Sequence, residues 1–212
     1  MRIGYSEEVA MQLALPETGF AARIILDPED KLTDDEYFEF CAANPNLRIE
    51  RTAKGEIVIV PPAGGESSCN SLETSSQLRY WARKDGRGRA FDSSAEFLLP
   101  DGSALSPDAA WVSNRLLATL TKQQRRKFMP VCPEFIVEVM SPSDRPRAAQ
   151  AKMEQWIANG AQLGWLIDGD AKTVYVYTLA RPVEQRSGIL ELAGEGPVEG
   201  FILDLQDIWA GL

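Results

Sequence analysis

The chain has 212 residues, of which 44% are hydrophobic and 25% are charged, and its formal net charge is −9. This length suits one domain with a buried core, and no apolar run approaches the roughly 20 residues that a membrane helix needs. The sequence contains no histidine, which excludes Ser-His-Asp triads, Cys-His pairs and histidine-ligated zinc. Catalysis at neutral pH would therefore depend on carboxylates, lysine or a metal ion held by oxygen atoms.

The N-terminal segment MRIGYSEEVA has acidic residues where a signal peptide has an apolar stretch, so we do not expect export. The three cysteines, Cys41, Cys69 and Cys132, are odd in number and far apart. This spacing favours reduced thiols over a disulfide framework or a zinc site. Together these features predict a cytoplasmic protein.

The first part of the chain predicts an extension, a helix and a hairpin. Residues 1–31 lack clear periodicity and are predicted to be an extension, with a single domain over residues 32–212. Thr33, with Glu36 three residues later, predicts the capped start of a helix in LTDDEYFEFCAANP. The segment LRIERTAKGEIVIVPP alternates around a turn that contains glycine, which predicts a β-hairpin.

The remaining chain mixes helices and strands. Residues 70–84 predict a helix with Leu72, Leu78 and Trp81 among its buried positions, followed by two glycines that end it. Two further helices are predicted over residues 116–127 and 148–159. The segments predicted as strands are RAFDSS, AEFLLP, SPDAAWVS, FIVEVMS, GWLID and TVYVYT, the last two as a hairpin, and GFILDLQDIW adds strand or short-helix material. This order predicts an α/β fold (α+β type) around a central sheet.

Two of these predicted strands each carry one acid among apolar residues. Glu138 would share a strand face with Ile136 and Met140, and Asp108 would share one with Ala110 and Val112. A buried carboxylate needs an ionic partner, a metal ion or a raised pKa. If the two strands pair, the acids converge, and a divalent cation between them would offset their repulsion. Oxygen ligands favour Mg²⁺ or Mn²⁺, with the backbone at Val139 or Met140 as a plausible further ligand.

Lys152 lies on the helix that follows Glu138, at the edge of an apolar stripe that includes Met153 and Trp156. From there its ammonium could reach Glu138, where a lysine can orient water or offset charge on a phosphate. Each residue also has a simpler interpretation. Glu138 and Lys152 could form a buried ion pair, Asp108 could cap a turn, and Lys152 could be an ordinary surface residue.

The charges are distributed unevenly along the chain. Residues 1–50 hold 4 basic and 11 acidic side chains and residues 160–212 hold 3 and 8, whereas residues 51–159 hold 15 and 12. Two basic clusters lie in this middle region: Arg79, Arg83, Lys84, Arg87 and Arg89 form the first, and Lys122, Arg125, Arg126 and Lys127 form the second. They predict a surface for a nucleic acid, or, more simply, solvated helix faces.

The segments SPD, PEFIVEVMSPSD and AKMEQWIANGAQLGWLID, together with RIERTAKGEIVIVPPAGGE, resemble the Uma-type putative restriction endonuclease family of the PD-(D/E)XK nuclease superfamily. The resemblance extends from about LTDDEYFEF to DLQDIW. It implies a restriction-endonuclease-like fold, with a four-stranded mixed sheet flanked by helices. It also implies Mg²⁺-dependent hydrolysis of DNA phosphodiesters and, by analogy with restriction nucleases, a homodimer.

Carried over to this sequence, the resemblance implies that Asp108 and Glu138 are metal ligands and that Lys152 is the catalytic lysine. The superfamily's usual lysine position is occupied by Met140, and the family's lysine is on the following helix instead. Many relatives have an aspartate one turn before that lysine, where this chain has Ala148.

Asp144 is a candidate substitute for the missing aspartate at residue 148. The resemblance also implies an additional acid from an earlier element, for which Glu50, Glu56 and Glu73 are candidates. The alternative function is a catalytically inactive nuclease-fold module that binds nucleic acid or a protein partner. A carboxylate-pair glycosidase is less favoured, because no aromatic-lined sugar groove is indicated.

Overall fold

The computed structural model describes residues 22–24, 26, 30–142 and 144–212. The chain divides into two compact units, residues 1–62 and 63–212, and this division falls within the domain predicted over residues 32–212. Most of the predicted extension lies outside the described residues. Among those that are described, no helix has the length and the apolar composition needed to cross a bilayer. The three cysteines are free thiols.

The first unit contains a helix and a small antiparallel sheet. Its elements are β1 (Ala22–Ile24), α1 (Asp34–Ala43), β2 (Arg48–Arg51) and β3 (Ile57–Val60). The predicted capping box is confirmed, because the Thr33 hydroxyl accepts a hydrogen bond from the Glu36 N–H and the Glu36 carboxylate accepts one from the Thr33 N–H. The predicted hairpin is also confirmed, with β3 paired to β2 and to β1.

The second unit is built on a six-stranded mixed sheet in the order β11-β10-β9-β8-β7-β4. Its elements are α2 (Gly65–Asp85), β4 (Gly88–Asp92), β5 (Phe97–Leu98), β6 (Ala104–Leu105), β7 (Ala109–Ser113), α3 (Asn114–Leu117), β8 (Phe135–Val139), α4 (Pro146–Ala158), β9 (Leu163–Asp168), β10 (Thr173–Thr178), β11 (Arg181–Ser187), β12 (Glu191–Ala193), β13 (Ile202–Asp204) and α5 (Gln206–Ala210). The predicted mixed fold is confirmed, with six strands in place of the four implied by the resemblance.

The direction of the strands follows from the connections between them. Strands β8 and β9 are parallel, and α4 is the crossover helix that a parallel pair requires. The other neighbouring pairs in this sheet are antiparallel, including the predicted β9–β10 hairpin. In the strand order of this sheet, β8 and β7 each lie between two other strands. All five residues of β8 are buried.

Alternation along the strands divides the sheet into two faces. Phe135, Val137 and Val139 of β8 pack in a core that includes Leu78 of α2, whereas Ile136 packs in a second core with Met153 and Trp156 of α4. We call these the α2 face and the α4 face. The predicted partition of β8 side chains is thus confirmed, and Glu138 belongs to the α4 face.

Two sequence-based predictions for the second unit are wrong. Leu72 is 66% exposed, because the buried stripe of α2 contains Asn70, Thr74 and Leu78, and Leu72 lies about 200° from Thr74 around the helix. The continuous helix over residues 116–127 is replaced by α3 and a short 3₁₀ turn at Gln124–Arg126. Leu120 is buried between these pieces, which fixes the chain in a path that a straight polar helix would not follow.

Candidate active site

Asp108 directly precedes β7, and Glu138 is on β8, the strand with which β7 pairs. In the antiparallel pair of β7 and β8, Ala110 faces Ile136 and Ala109 faces Val137, so the next pair in the same register is Asp108 and Glu138. The backbone N–H of Val139 donates to Oδ2 of Asp108 at 2.8 Å, which ties the segment before β7 to the end of β8. Opposite residues of such a pair have Cβ atoms about 5 Å apart. The sequence prediction that the two strands bring these carboxylates together agrees with this geometry.

Glu138 is stabilised by two donors from α4. The side chain is 12% exposed, and its Oε1 atom accepts hydrogen bonds from Nε1 of Trp156 at 2.9 Å and from Nζ of Lys152 at 3.1 Å. A carboxylate buried to this degree is costly unless it is paired and hydrogen-bonded. The two donors therefore explain why a charged residue is tolerated within a strand that is otherwise apolar.

Lys152 contacts the segments that carry both acids. Its Nζ atom also donates to the backbone carbonyl of Ser106 at 3.1 Å, two residues before Asp108. The lysine stem starts on α4, where Met153 and Trp156 are fully buried, and its side chain is 25% exposed. A lysine at the edge of an apolar helix stripe can extend in this way toward a polar site. The ammonium is thus close to the two strands, on a side chain that solvent still reaches.

The candidate additional acids are in other environments. Asp144 is exposed, and its carboxylate accepts from the N–H of Ser141 at 2.7 Å within the turn before α4. Glu73 is on α2, where it accepts from Gln77, a residue that also bonds to the backbone of β13. It is therefore on the α2 side of the sheet, away from Glu138.

Glu50 and Glu56 belong to the first unit, in β2 and just before β3. Glu56 accepts from the Thr52 hydroxyl at 3.3 Å across the hairpin turn. Both residues are thus part of a different unit from the Asp108–Glu138 pair. Within the described residues, no group of three or more acidic or cysteine side chains is arranged to hold a metal ion.

The first basic cluster is at the other end of the sheet from the acids. Arg87 and Arg89 flank Gly88, which pairs with Ser113 at the far end of β7, roughly 16 Å along the strand from Asp108. Arg87 forms an ion pair with Asp85 at 2.6 Å. Arg83 and Lys84 are exposed at the last turn of α2.

The second cluster lies between α3 and β8. Lys122, Arg125 and Arg126 are exposed and Lys127 is half-buried. The Arg125 guanidinium is bound to the backbone carbonyl of Leu120 by bonds of 3.1 and 2.9 Å. Each cluster thus contains exposed cations and one arginine whose guanidinium is already bound within the protein: Arg87 to Asp85, and Arg125 to the Leu120 carbonyl.

The site's donors fit a hard divalent cation. Asp108 and Glu138 offer only oxygen atoms, and they oppose each other at the end of a paired strand segment. Mg²⁺ commonly binds through one or two carboxylates and keeps several waters, so two protein carboxylates are a sufficient set. These residues are the ones that would hold such an ion.

Sequence reasoning missed three partners of the site. They are the indole N–H of Trp156, the carbonyl of Ser106 and the N–H of Val139. Two of them are backbone groups, whose direction a sequence does not reveal. A signal for Trp156 was present, because a buried indole N–H usually has a hydrogen-bond partner and Trp156 is one turn from Lys152.

The mixed sheet, with the parallel crossover from β8 through α4 to β9 and its flanking helices, defines a restriction-endonuclease-like fold. The chain belongs to the Uma2 family, described as putative restriction endonuclease, whose model matches residues 34–206. The predicted family resemblance is therefore confirmed.

A solved structure, that of a putative nuclease belonging to DUF820 from Anabaena variabilis, is similar in fold. Its TM-score is 0.65 at 20% sequence identity, covering 84% of this chain and 98% of that chain. None of the curated proteins matches. The family's description supports a nuclease, and the solved structure shows the fold.

Proposed function

We propose that this protein is a metal-dependent endonuclease that hydrolyses DNA phosphodiester bonds at the Asp108–Glu138–Lys152 site. The observation that supports this proposal best is the convergence of three groups: two acids opposed across β7 and β8, and one ammonium within 3.1 Å of Glu138. The family and the fold supply the reaction class.

The residues have distinct roles in this proposal. Asp108 and Glu138 would hold a Mg²⁺ or Mn²⁺ ion, which when bound supplies Lewis-acid activation of water and of the scissile phosphate. The Lys152 ammonium would bind a phosphate oxygen and offset the negative charge that develops there. Its hydrogen bond to the Ser106 carbonyl keeps it near the acids while no substrate is present.

Cleavage of supercoiled plasmid by purified protein tests the proposal. We expect wild-type protein to nick or cut with Mg²⁺ or Mn²⁺ and not with EDTA. Glu138→Gln, Asp108→Asn and Lys152→Met should each lower the rate by about a hundredfold or more, since each removes a group that acts on the reacting phosphate.

A matched control separates the effect of losing a carboxylate in the site from the effect of losing a carboxylate elsewhere. Glu191→Gln removes an exposed carboxylate of β12 and should cut at the wild-type rate. Thermal melts establish that each variant is folded. Wild-type rates in folded Glu138→Gln or Lys152→Met protein would contradict the assignment.

A nuclease-fold binding module without turnover is the second candidate. The ion pair between Lys152 and Glu138 favours it, because the two charges satisfy each other without a metal. A ligand that binds the folded state raises the melting temperature, so an active site should be stabilised by Mg²⁺ or Mn²⁺ and a relic site should not. No stabilisation, with no cleavage of single- or double-stranded DNA, would favour the binding module.

We also propose that the nuclease acts as a homodimer. Cyclic dimers are the commonest oligomers, and two sites related by a twofold axis can cut both strands of a duplex. Light scattering at assay concentrations would measure the mass. A monomeric mass together with direct double-strand cutting would contradict this arrangement.

A further inference from the structure

Two donors that differ in exposure to solvent meet at one oxygen of Glu138. The Trp156 indole is fully buried, whereas the Lys152 side chain is 25% exposed. Both atoms donate to Oε1, from positions one turn apart on α4. The same oxygen thus accepts from one fixed donor and from one donor that solvent, or a substrate, can reach.

We propose that Trp156 is the positioning residue of this site: its indole N–H holds the Glu138 carboxylate in place and allows Lys152 to move from Glu138 to a phosphate. This inference rests on the proposed function and adds a division of labour between the two α4 residues. Trp156 does not touch substrate in this scheme and acts through Glu138.

The packing of Trp156 explains why it can serve as the fixed partner. Its ring meets Phe97 edge-on at 6.4 Å, and its core neighbours on the α4 face include Ile136 and Met153. A tryptophan has two side-chain torsions, and close packing on all sides restricts both. Lysine has a long flexible stem, so its position near Glu138 is easily exchanged for another.

The consequence appears when a phosphate approaches. A phosphate attracts the Lys152 ammonium away from Glu138, and a buried carboxylate left without a partner is strongly penalised. The indole hydrogen bond remains during that movement, so Glu138 keeps its orientation. Without Trp156, Glu138 would lose the donor that stays in place when the lysine moves.

The test uses the indole resonances of ¹⁵N-labelled protein, which has five tryptophans. The Trp156 signal is assigned as the one that disappears in Trp156→Phe protein. We expect it to move in Glu138→Gln protein and on addition of Mg²⁺, more than the other four. In Lys152→Met protein its proton should still exchange slowly with solvent, because the indole retains its bond to Glu138.

Metal affinity supplies a second readout with a matched control. Trp156→Phe should raise the Mn²⁺ concentration at half-saturation, measured by calorimetry, by about tenfold or more. Trp165→Phe makes the same change at an equally buried tryptophan on the α2 face and should leave that concentration within about twofold of the wild type. This pair separates the effect of the missing hydrogen bond from the effect of the smaller side chain.

If the chemical shift of the Trp156 indole is the same in wild-type and Glu138→Gln protein, the inference is wrong. Equal metal affinities of wild-type and folded Trp156→Phe protein would do the same. If Trp156→Phe does not fold, the Trp156 signal is assigned by elimination from phenylalanine variants of the other four tryptophans, and the Glu138→Gln and Lys152→Met spectra then decide. A wild-type protein that cleaves no DNA would count against the proposed function alone, since the indole readouts do not depend on cleavage.

Discussion

Two buried carboxylates near β8 differ in the partners that hold them, and one of the two belongs to the proposed site. Glu134 accepts from the N–H of Ser113 at 2.7 Å and from its hydroxyl at 2.8 Å, so it closes the end of β7. Glu138 is held instead by two side chains of α4. Glu134 is at the Ser113 end of β7 and also pairs with Arg115 at 3.3 Å, whereas Glu138 has as a partner the partly exposed Lys152, which can be exchanged for a ligand.

This difference predicts opposite effects of two similar substitutions. Glu134→Ala leaves the partly buried N–H of Ser113 without its acceptor and should lower the free energy of unfolding by about 1–3 kcal/mol. It should leave metal affinity nearly unchanged. Glu138→Gln should remove metal binding with a smaller loss of stability. Urea unfolding and calorimetry measure both, and a large loss of metal affinity in folded Glu134→Ala protein would contradict the assigned roles.

The cysteines give a second prediction at this scale. Burial raises the pKa of the Cys132 thiol to about 12, whereas Cys69 is exposed. Thiolate is the reactive form, so Cys132 stays protonated, and slow to react, well above the pH at which an ordinary thiol ionises. Iodoacetamide at about pH 8.5, the ordinary thiol pKa, followed by peptide mass analysis, should label Cys69 first. Faster labelling of Cys132 in the folded protein would contradict its burial.

Among the elements, two glycines of the sheet differ in what surrounds them. A Cβ on Gly88 of β4 would lie 2.4 Å from the Trp111 ring and 2.5 Å from the Val112 carbonyl. A Cβ on Gly164 of β9 would meet the end of Met153 at 2.6 Å. A backbone carbonyl and a packed indole cannot move far, whereas the end of a methionine can.

Alanine at each position should therefore have unequal effects. Gly88→Ala should destabilise the protein by about 3 kcal/mol or more, because β4 and β7 would have to separate, and Gly164→Ala should cost about 1 kcal/mol, because Met153 can change rotamer. Urea unfolding of the two variants measures the difference. The reverse order would show that the Met153 side of α4 is the more rigid contact.

Elements with strong local signals were predictable from the sequence. The capping box of α1, the alternation of β2 with β3 and the apolar run of β8 each specify one local structure. Strand β11 was missed because its residues, RPVEQRS, are almost all exposed and show no apolar alternation. The polar segment after α3 was misjudged because its path depends on the burial of Leu120, which is a tertiary contact.

The members of the candidate site were chosen from sequence patterns in the same way, and their joint role stays a prediction. Asp108 and Glu138 stood out as acids in apolar strands, and their opposition needed only the pairing of those strands. The sequence indicated that the buried Trp156 N–H needs an acceptor, but the choice of Glu138 as that acceptor depends on how far α4 is rotated over the sheet. Sequence patterns singled out Asp108, Glu138 and Lys152, whereas the hydrogen bonds around them are seen only in the three-dimensional structure.

For the whole molecule, the question is how a protein with a negative net charge could bind DNA, which is also negatively charged. The net charge is −9, yet residues 51–159 carry 15 basic and 12 acidic side chains. The exposed cations Lys122 and Arg126 belong to that region. Long-range repulsion from the acidic remainder is screened within about 8 Å at physiological salt, so contacts with these cations can still form.

Binding of duplex DNA, measured in EDTA so that no divalent cation is present, tests that contribution. We expect affinity to fall steeply as salt rises, because each neutralised phosphate releases counterions. The Lys122→Gln, Arg126→Gln double variant should weaken binding and lower the slope of log K against log salt by about 1 for each phosphate that it no longer neutralises. Lys54→Gln, a change on the exposed hairpin turn of the first unit, should leave the slope unchanged. If the slope of log K against log salt is unchanged in the double variant, the second basic cluster is not part of the DNA-binding surface. If binding by the wild type does not depend on salt, the protein does not bind DNA through its phosphates.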